Sequence, residues 1–293
     1  MAGKIILSTD SSSDVLKGLL DAHDVRCIPL TYTIDGETRD GLFGDESEYV
    51  AFYEALRAKK MPTTSLINEY LYQEYFRTIA AEGPAEIVHL SLSSGLSSSC
   101  ANAIAAAETV MQEFPTVKIH IVDSLGATQA QRIILDEGIR LRDQGLSARE
   151  IADGMRKCVS ETQVYIIVDD LFHLKRGGRV SGAAAVIGTA LKLKPIIILD
   201  DKGHLEVVAK VPGRRKAMKY VIDRMQEQGV RLADQTVYIA HADSMDFASE
   251  MRAMIEEAFG SKVLVDWVGP VIGAHTGADM IGIVYRGEKR LTK

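Results

Sequence analysis

Six serines crowd residues 91–99, inside a run that reads LSLSSGLSSSCANAIAAA over residues 90–107. The apolar segment 85–92 predicts a buried strand; Ser93-Ser94-Gly95 breaks it, and the alanine-rich stretch from Leu96 predicts a helix. A helix start presents unpaired N–H groups and the positive end of the helix dipole, and serine hydroxyls add donors at the same point. The chemistry such a turn can do is to hold an anionic head group, here on Ser93 and Ser94. Helix capping uses the same residue type, although one serine suffices for it. Other chemistry-bearing stretches are TDSSSD at 9–14, the hydroxyls Thr63, Thr64 and Ser65 after Pro62, and Asp123-Ser124. His275 lies in GPVIGAHTG at 269–277, read as a loop whose glycines and Pro270 suit either a ligand site or a tight turn. Asp10 and Asp123 end predicted strands, where they would cap turns or hold the serine-rich turns in place. His89 and His120 alternate with apolar residues and read as core or edge residues; His173 reads as structural.

The elements that must position these residues alternate. Residues 4–7 predict a strand followed by the 9–14 turn and a helix over 15–22, capped by Asp14 or Ser13; residues 25–34 predict a second strand closed by Asp35-Gly36. Helical content over 46–59 and 67–79 precedes the central strand and turn, and a strand over 117–122 runs into helices over 129–142 and 147–158. Repeated strand–loop–helix units imply parallel strands with helical crossovers, and in such sheets ligands sit beyond the carboxyl ends of the strands. Three of the strand exits carry Ser and Asp. The second half differs: a strand over 164–168, a small-residue helix over 183–191, a hairpin from 194–199 to 204–210, a helix after Arg214, and strands over 237–240, 262–267 and 281–285 around a helix over 244–259. We therefore expect an α/β domain with a parallel sheet over 1–160 and an α+β domain over 161–293.

The totals bound the function. The chain has 293 residues, 46% hydrophobic composition and a mean hydropathy of +0.02, as expected of a folded soluble protein. A formal net charge of −6 argues against a general nucleic-acid binder. Cys27, Cys100 and Cys158 form no CxxC pair, so no disulfide framework or zinc site is expected and reduced cytoplasmic thiols fit. The first residues hold too few apolar side chains for a signal peptide, and the longest apolar stretch, 183–191, is far short of a membrane span. No H-E-x-x-H motif, phosphate-binding loop or dinucleotide fingerprint occurs. An enzyme remains an alternative, with Ser94, His275 and Asp10 or Asp123 as nucleophile, base and orienter of a serine-dependent acyl-ester hydrolase, although SSGLS is not the G-x-S-x-G elbow. A binder of a small anionic metabolite is another.

Seven segments together resemble one family, in its order and over nearly the whole chain: TDSSSD at 9–14, TS at 64–65, SSGLS at 93–97, VDS at 122–124, LKRGGR at 174–179, KP at 194–195 with the hairpin after it, and GPVIGAHTG at 269–277. The chain resembles the DegV family. The resemblance implies a long-chain fatty acid such as palmitate held between the two domains, no cofactor, no metal and no catalytic residue. It also implies a partner, a separate fatty acid kinase that makes acyl phosphate from ATP and the bound acid. Carried over position by position, it implies that Thr64 and Ser94 grip the carboxylate and that His275 lies near it. Ser65, Ser93, Gly95 and Gly273 belong to the same expected site, and Arg179 of the basic Gly-Gly loop to kinase docking. The chain departs from the pattern at Ser98-Ser99, where the family has Gly-Thr, at Leu66-Ile67, where it has Gln-Pro, and at Ala278-Asp279, where it has Pro-Gly. Asp279 would oppose a carboxylate if it faced one, so it is expected to point away. Candidate tunnel residues are Ile28, Leu30, Ile166, Val186, Ile187 and Ile197, each of which ordinary core packing would also explain.

Overall fold

The computed structural model describes residues 4–169, 171–180 and 193–292. The helix expected over 183–191, with Val186 and Ile187, lies outside them. Strand β1 (Lys4–Asp10) ends in a short 3₁₀ turn, Ser11–Ser13, which the Asp10 side chain caps by accepting the Ser12 N–H. Helix α1 is Lys17–Ala22 and has no side-chain cap; Asp14, expected to cap it, instead closes the 3₁₀ turn at φ 53°. The expected strand over 25–34 is two strands, β2 (Val25–Ile28) and β3 (Thr31–Ile34). They flank Pro29, which has no N–H to give a ladder and so separates them. β3 turns back through Asp35 and Gly36, both at positive φ, into β4 (Glu37–Asp40). α2 (Glu46–Arg57) starts with a capping box of Asp45 and Glu48. Thr63–Ser65, too short to show a period, forms β5 and pairs antiparallel with β3, Tyr32 opposite Thr64.

Next come α3 (Glu69–Ala80), β6 (Ala85–Ser91), α4 (Ser99–Glu113), β7 (Lys118–Asp123), α5 (Gln129–Asp143) and α6 (Ala148–Glu161). The second lobe continues with β8 (Thr162–Ile167), α7 (Phe172–Arg176), β9 (Leu193–Leu199), β10 (Leu205–Pro212), α8 (Arg214–Gln228), β11 (Thr236–His241), α9 (Met245–Phe259), β12 (Lys262–Trp267), α10 (Pro270–Thr276) and β13 (Ile281–Arg286). The segment read as a glycine-punctuated loop is therefore a helix, α10, with Gly269 at its N-cap and Pro270 in its first turn, where a missing N–H costs nothing.

β2-β1-β6-β7 form a wholly parallel sheet. The second sheet, β10-β9-β8-β13-β11-β12, is antiparallel except for β11 with β12. Both are apolar on both faces. On β8, Val164 and Ile166 share a core with α5 and α6, while Tyr165 and Ile167 share another with Met218, Val221, Phe247 and Met251 of α8 and α9. On β6, Val88 and Leu90 face α5 and α6 while Ile87 faces α3 and α4. The chain is thus five layers deep: α3 and α4, the parallel sheet, α5 and α6, the mixed sheet, α8 and α9. Helix α5 touches strands of both sheets, so the two lobes share one buried helical layer.

Candidate functional site

Parallel order places the carboxyl ends of β1, β6 and β7 side by side, with Thr9 opposite Leu90 and Ser91 opposite Asp123. Two carboxylates fix the turn that follows β6. Asp10, fully buried, accepts the Leu92 N–H at 2.7 Å and bonds Ser12 and Gln131; burial pushes its pKa up while these bonds oppose that. Asp123 accepts the N–H groups of Ser94 at 3.2 Å and Leu125 at 3.0 Å. Both aspartates therefore hold the serine-rich turns in place.

That turn is not the start of a helix. The Ser93 carbonyl accepts both the Leu96 and Ser97 N–H groups, and α4 begins only at Ser99. Ser93 is fully buried, its Oγ donating to the Gly203 carbonyl of the β9–β10 turn at 2.9 Å and accepting the Gly95 N–H. Gly95 lies directly on the Gly203 carbonyl, and Gly203, at φ 75°, leaves no room for a Cβ beside Ser93 Oγ. Both residues thus join the lobes. Ser94 is exposed and tied by its backbone to Asp123.

Hydroxyls of Thr64 and Ser97 line one cavity. Ser65, His275 and Thr276 join them, and the cavity, of about 150 Å³, lies between the lobes. Its apolar wall comes from Leu30, Leu66, Leu92 and Leu96 of the first lobe and Leu174, Leu205, Val271 and Ile272 of the second. Thr64 Oγ1 lies 2.8 Å from His275 Nε2. Ser97 Oγ accepts the Ser99 N–H at 3.2 Å and lies 3.0 Å from Ser99 Oγ, which in turn accepts the Ile67 N–H. With Ser99 as donor to Ser97, the Ser97 hydrogen remains for a ligand. The departure at Ser98-Ser99 thus keeps a hydroxyl where it is used, and Ser98, at φ −75°, has no need of glycine.

Burial, Arg179 and then Arg176 push the His275 pKa down to about 4, so the ring is neutral at pH 7. Arg179 lies exposed at the rim, its Nε donating to the Leu96 carbonyl at 3.2 Å. Arg179 and Arg176 thus make the surroundings of His275 positive, and the cavity lining can receive an anion with an apolar extension. Of the residues expected there, the structure brings together Thr64, Ser65 and His275; Arg179, expected at a docking surface, lines the same cavity. The structure does not bring Ser94, Ser93 or Gly95 to the cavity, and Gly273 packs on Phe52 and Tyr53 of α2. Ser97 lines the cavity without being among the expected residues, and the serines that follow Gly95 are its signal in the sequence. Leu30 lines the cavity, whereas Ile28, Ile166 and Ile197 pack in the cores. Asp279 points away, toward Arg57 at 3.3 Å and Arg214. His275 Nε2 is taken by Thr64 and Ser94 stands outside the cavity, so Ser94 and His275 are not paired as nucleophile and base. Among the described residues no group of three or more His, Cys, Asp or Glu could hold a metal, and no helix is long and apolar enough to cross a membrane.

Comparison with known proteins agrees with the resemblance. The model of the DegV family, described as uncharacterised proteins, matches residues 4–288. A DegV domain-containing protein of Clostridium perfringens is 32% identical over 288 residues, 98% of this chain and 99% of that one. Among solved structures, a DegV family protein from Thermus thermophilus, described by its fatty acid binding, is 26% identical with a TM-score of 0.83 and covers 97% of this chain and 99% of its own. DegV from Bacillus subtilis, described as a fatty acid binding protein, is 25% identical with a TM-score of 0.81, covering 98% and 100%.

Proposed function

This chain belongs to the DegV family, and from that premise we propose that it binds a long-chain fatty acid such as palmitate, with the carboxylate against Thr64, Ser97 and His275. The observation that carries the reading is the cavity itself: hydroxyl side chains, a neutral imidazole and the Arg179 guanidinium share its lining with eight aliphatic side chains. Burying a carboxylate without donors is expensive, and the hydroxyls and the positive field offset that cost. Each buried methylene adds about 0.8 kcal/mol, so the tail sets affinity and the hydroxyls set orientation. A small polar anion would leave the leucines facing it, which favours an acyl chain. A cavity of about 150 Å³ takes the head end of such a chain. The printed descriptions of the Thermus and Bacillus relatives add support.

The finer reading is that the bound carboxylate is presented to a separate fatty acid kinase, with Arg179, exposed at the rim, meeting the partner. Native mass spectrometry tests the binding: a long-chain acid should add its mass. Repeated preparations without lipid, and no uptake by the stripped protein, would end the reading. Thr64→Val should lower palmitate affinity roughly tenfold to a hundredfold, the worth of a hydrogen bond to a charged group at about 1.5–3 kcal/mol. Arg179→Glu should lower acyl-phosphate formation with the kinase more than it lowers palmitate affinity; equal losses would remove Arg179 from docking.

A further inference from the structure

We propose that Arg176 is a positioning residue of the head-group site, clamping together the two backbone segments that carry Thr64 and His275. It is the last residue of α7. Its guanidinium donates to the Pro62 carbonyl through Nη1 at 3.3 Å and Nη2 at 3.2 Å, and through Nη2 to the Ala274 carbonyl at 3.0 Å. Pro62 precedes the strand that bears Thr64 by one residue, and Ala274 precedes His275 directly. These segments come from opposite lobes, and the 2.8 Å contact between Thr64 Oγ1 and His275 Nε2 is the side-chain consequence of holding them at that spacing. A planar fork reaching two carbonyls is geometry that arginine supplies and lysine does not.

The next residue completes the arrangement. Gly177 lies against His275 Nδ1, where any Cβ would collide with the ring. That nitrogen is buried and has no partner, while Nε2 meets Thr64. A ring with its hydrogen on Nε2 donates to Thr64 Oγ1, and the Thr64 hydrogen is then the one left to meet a carboxylate. Arg176 and Gly177 together fix the spacing and the ring plane on which that relay depends. Their segment, LKRGGR, is expected from the family resemblance to serve partner docking; the clamp gives its first arginine a task inside the site, and it rests on the fatty-acid reading above.

The test compares Arg176→Met, Arg176→Lys, Thr64→Val and the double variant Arg176→Met with Thr64→Val, each stripped of lipid and titrated with palmitate. Arg176→Met should bind about tenfold more weakly with a melting temperature within a few degrees of wild type. Arg176→Lys, which keeps the charge without the fork, should recover only part of the loss. If Arg176 acts through Thr64, the double variant should bind no worse than Thr64→Val alone. Wild-type affinity in Arg176→Met, full recovery in Arg176→Lys, or additive losses in the double variant would overturn the clamp. Should Arg176→Met not fold, Arg176→Lys carries the same cycle. A wild-type protein that takes up no palmitate sinks the fatty-acid reading alone. The clamp is then read from the ¹⁵N shifts of the His275 ring, which must move toward an unpartnered Nε2 in the Arg176 variants; unchanged shifts would overturn it.

Discussion

His275 is uncharged at neutral pH because burial and two neighbouring guanidinium groups disfavour its cationic form. A carboxylate arriving beside it has the opposite effect, so palmitate should raise its pKa above the ligand-free value of about 4. An NMR titration of the ring with and without ligand checks this; a lower or unchanged value would mean that the acid lies elsewhere. The unfolded chain takes up the proton near pH 6.5 and the folded one only near 4, so this residue makes the fold less stable as pH falls between those values. His275→Gln should therefore gain stability relative to wild type as denaturation is followed from pH 7 down to 4.5. At this scale the serine-rich run was legible as a site-building stretch, but its donor was not. The alanine-rich stretch predicts a helix from Leu96. In the structure the Ser93 carbonyl closes a tight turn on Leu96 and Ser97, which moves the available hydroxyl to Ser97.

The alternation of strands and helices was readable because long apolar periods and end signals agree, as with the Ser147–Glu150 capping box of α6. The misread elements are short ones governed by contacts outside themselves. β5 is three residues long and exists because β3 offers it an edge. Helix α10 is seven residues and buried among α2, β3 and α7. The β9–β10 hairpin was legible, but not its docking, since nothing in its own residues says that its tip meets Ser93. Gly203→Ala would place a Cβ against Ser93 Oγ at a left-handed backbone position, and should destabilise the protein by about 1–3 kcal/mol in urea denaturation. Ser93→Ala, which removes only the bond to the Gly203 carbonyl and the turn contact, should cost about 1 kcal/mol. A Gly203→Ala variant as stable as wild type would mean that the tip docks loosely.

For the whole molecule, two lobes divided near residue 160 were expected, and the shared helical layer was not. A helix with apolar residues on several sides reads in sequence as merely well buried; only tertiary structure shows that α5 touches two sheets. Because Ile134 is wholly buried in the core spanning both lobes, Ile134→Ala should lower stability by about 2–5 kcal/mol while leaving a single calorimetric transition. Two separate transitions would mean that the lobes melt independently. Arg290 adds to the union: largely buried, it donates to the carbonyls of Leu125, Val159 and Asp200, from three different segments. The glycine-on-glycine seat of Gly95 against Gly203 has a practical consequence. A chimaera that joins the first half of this chain to the second half of a relative would mate two surfaces shaped for other counterparts. It should fold, since each sheet keeps its own strands, yet retain lipid poorly, and restoring both sides of that seat from one parent should bring retention back.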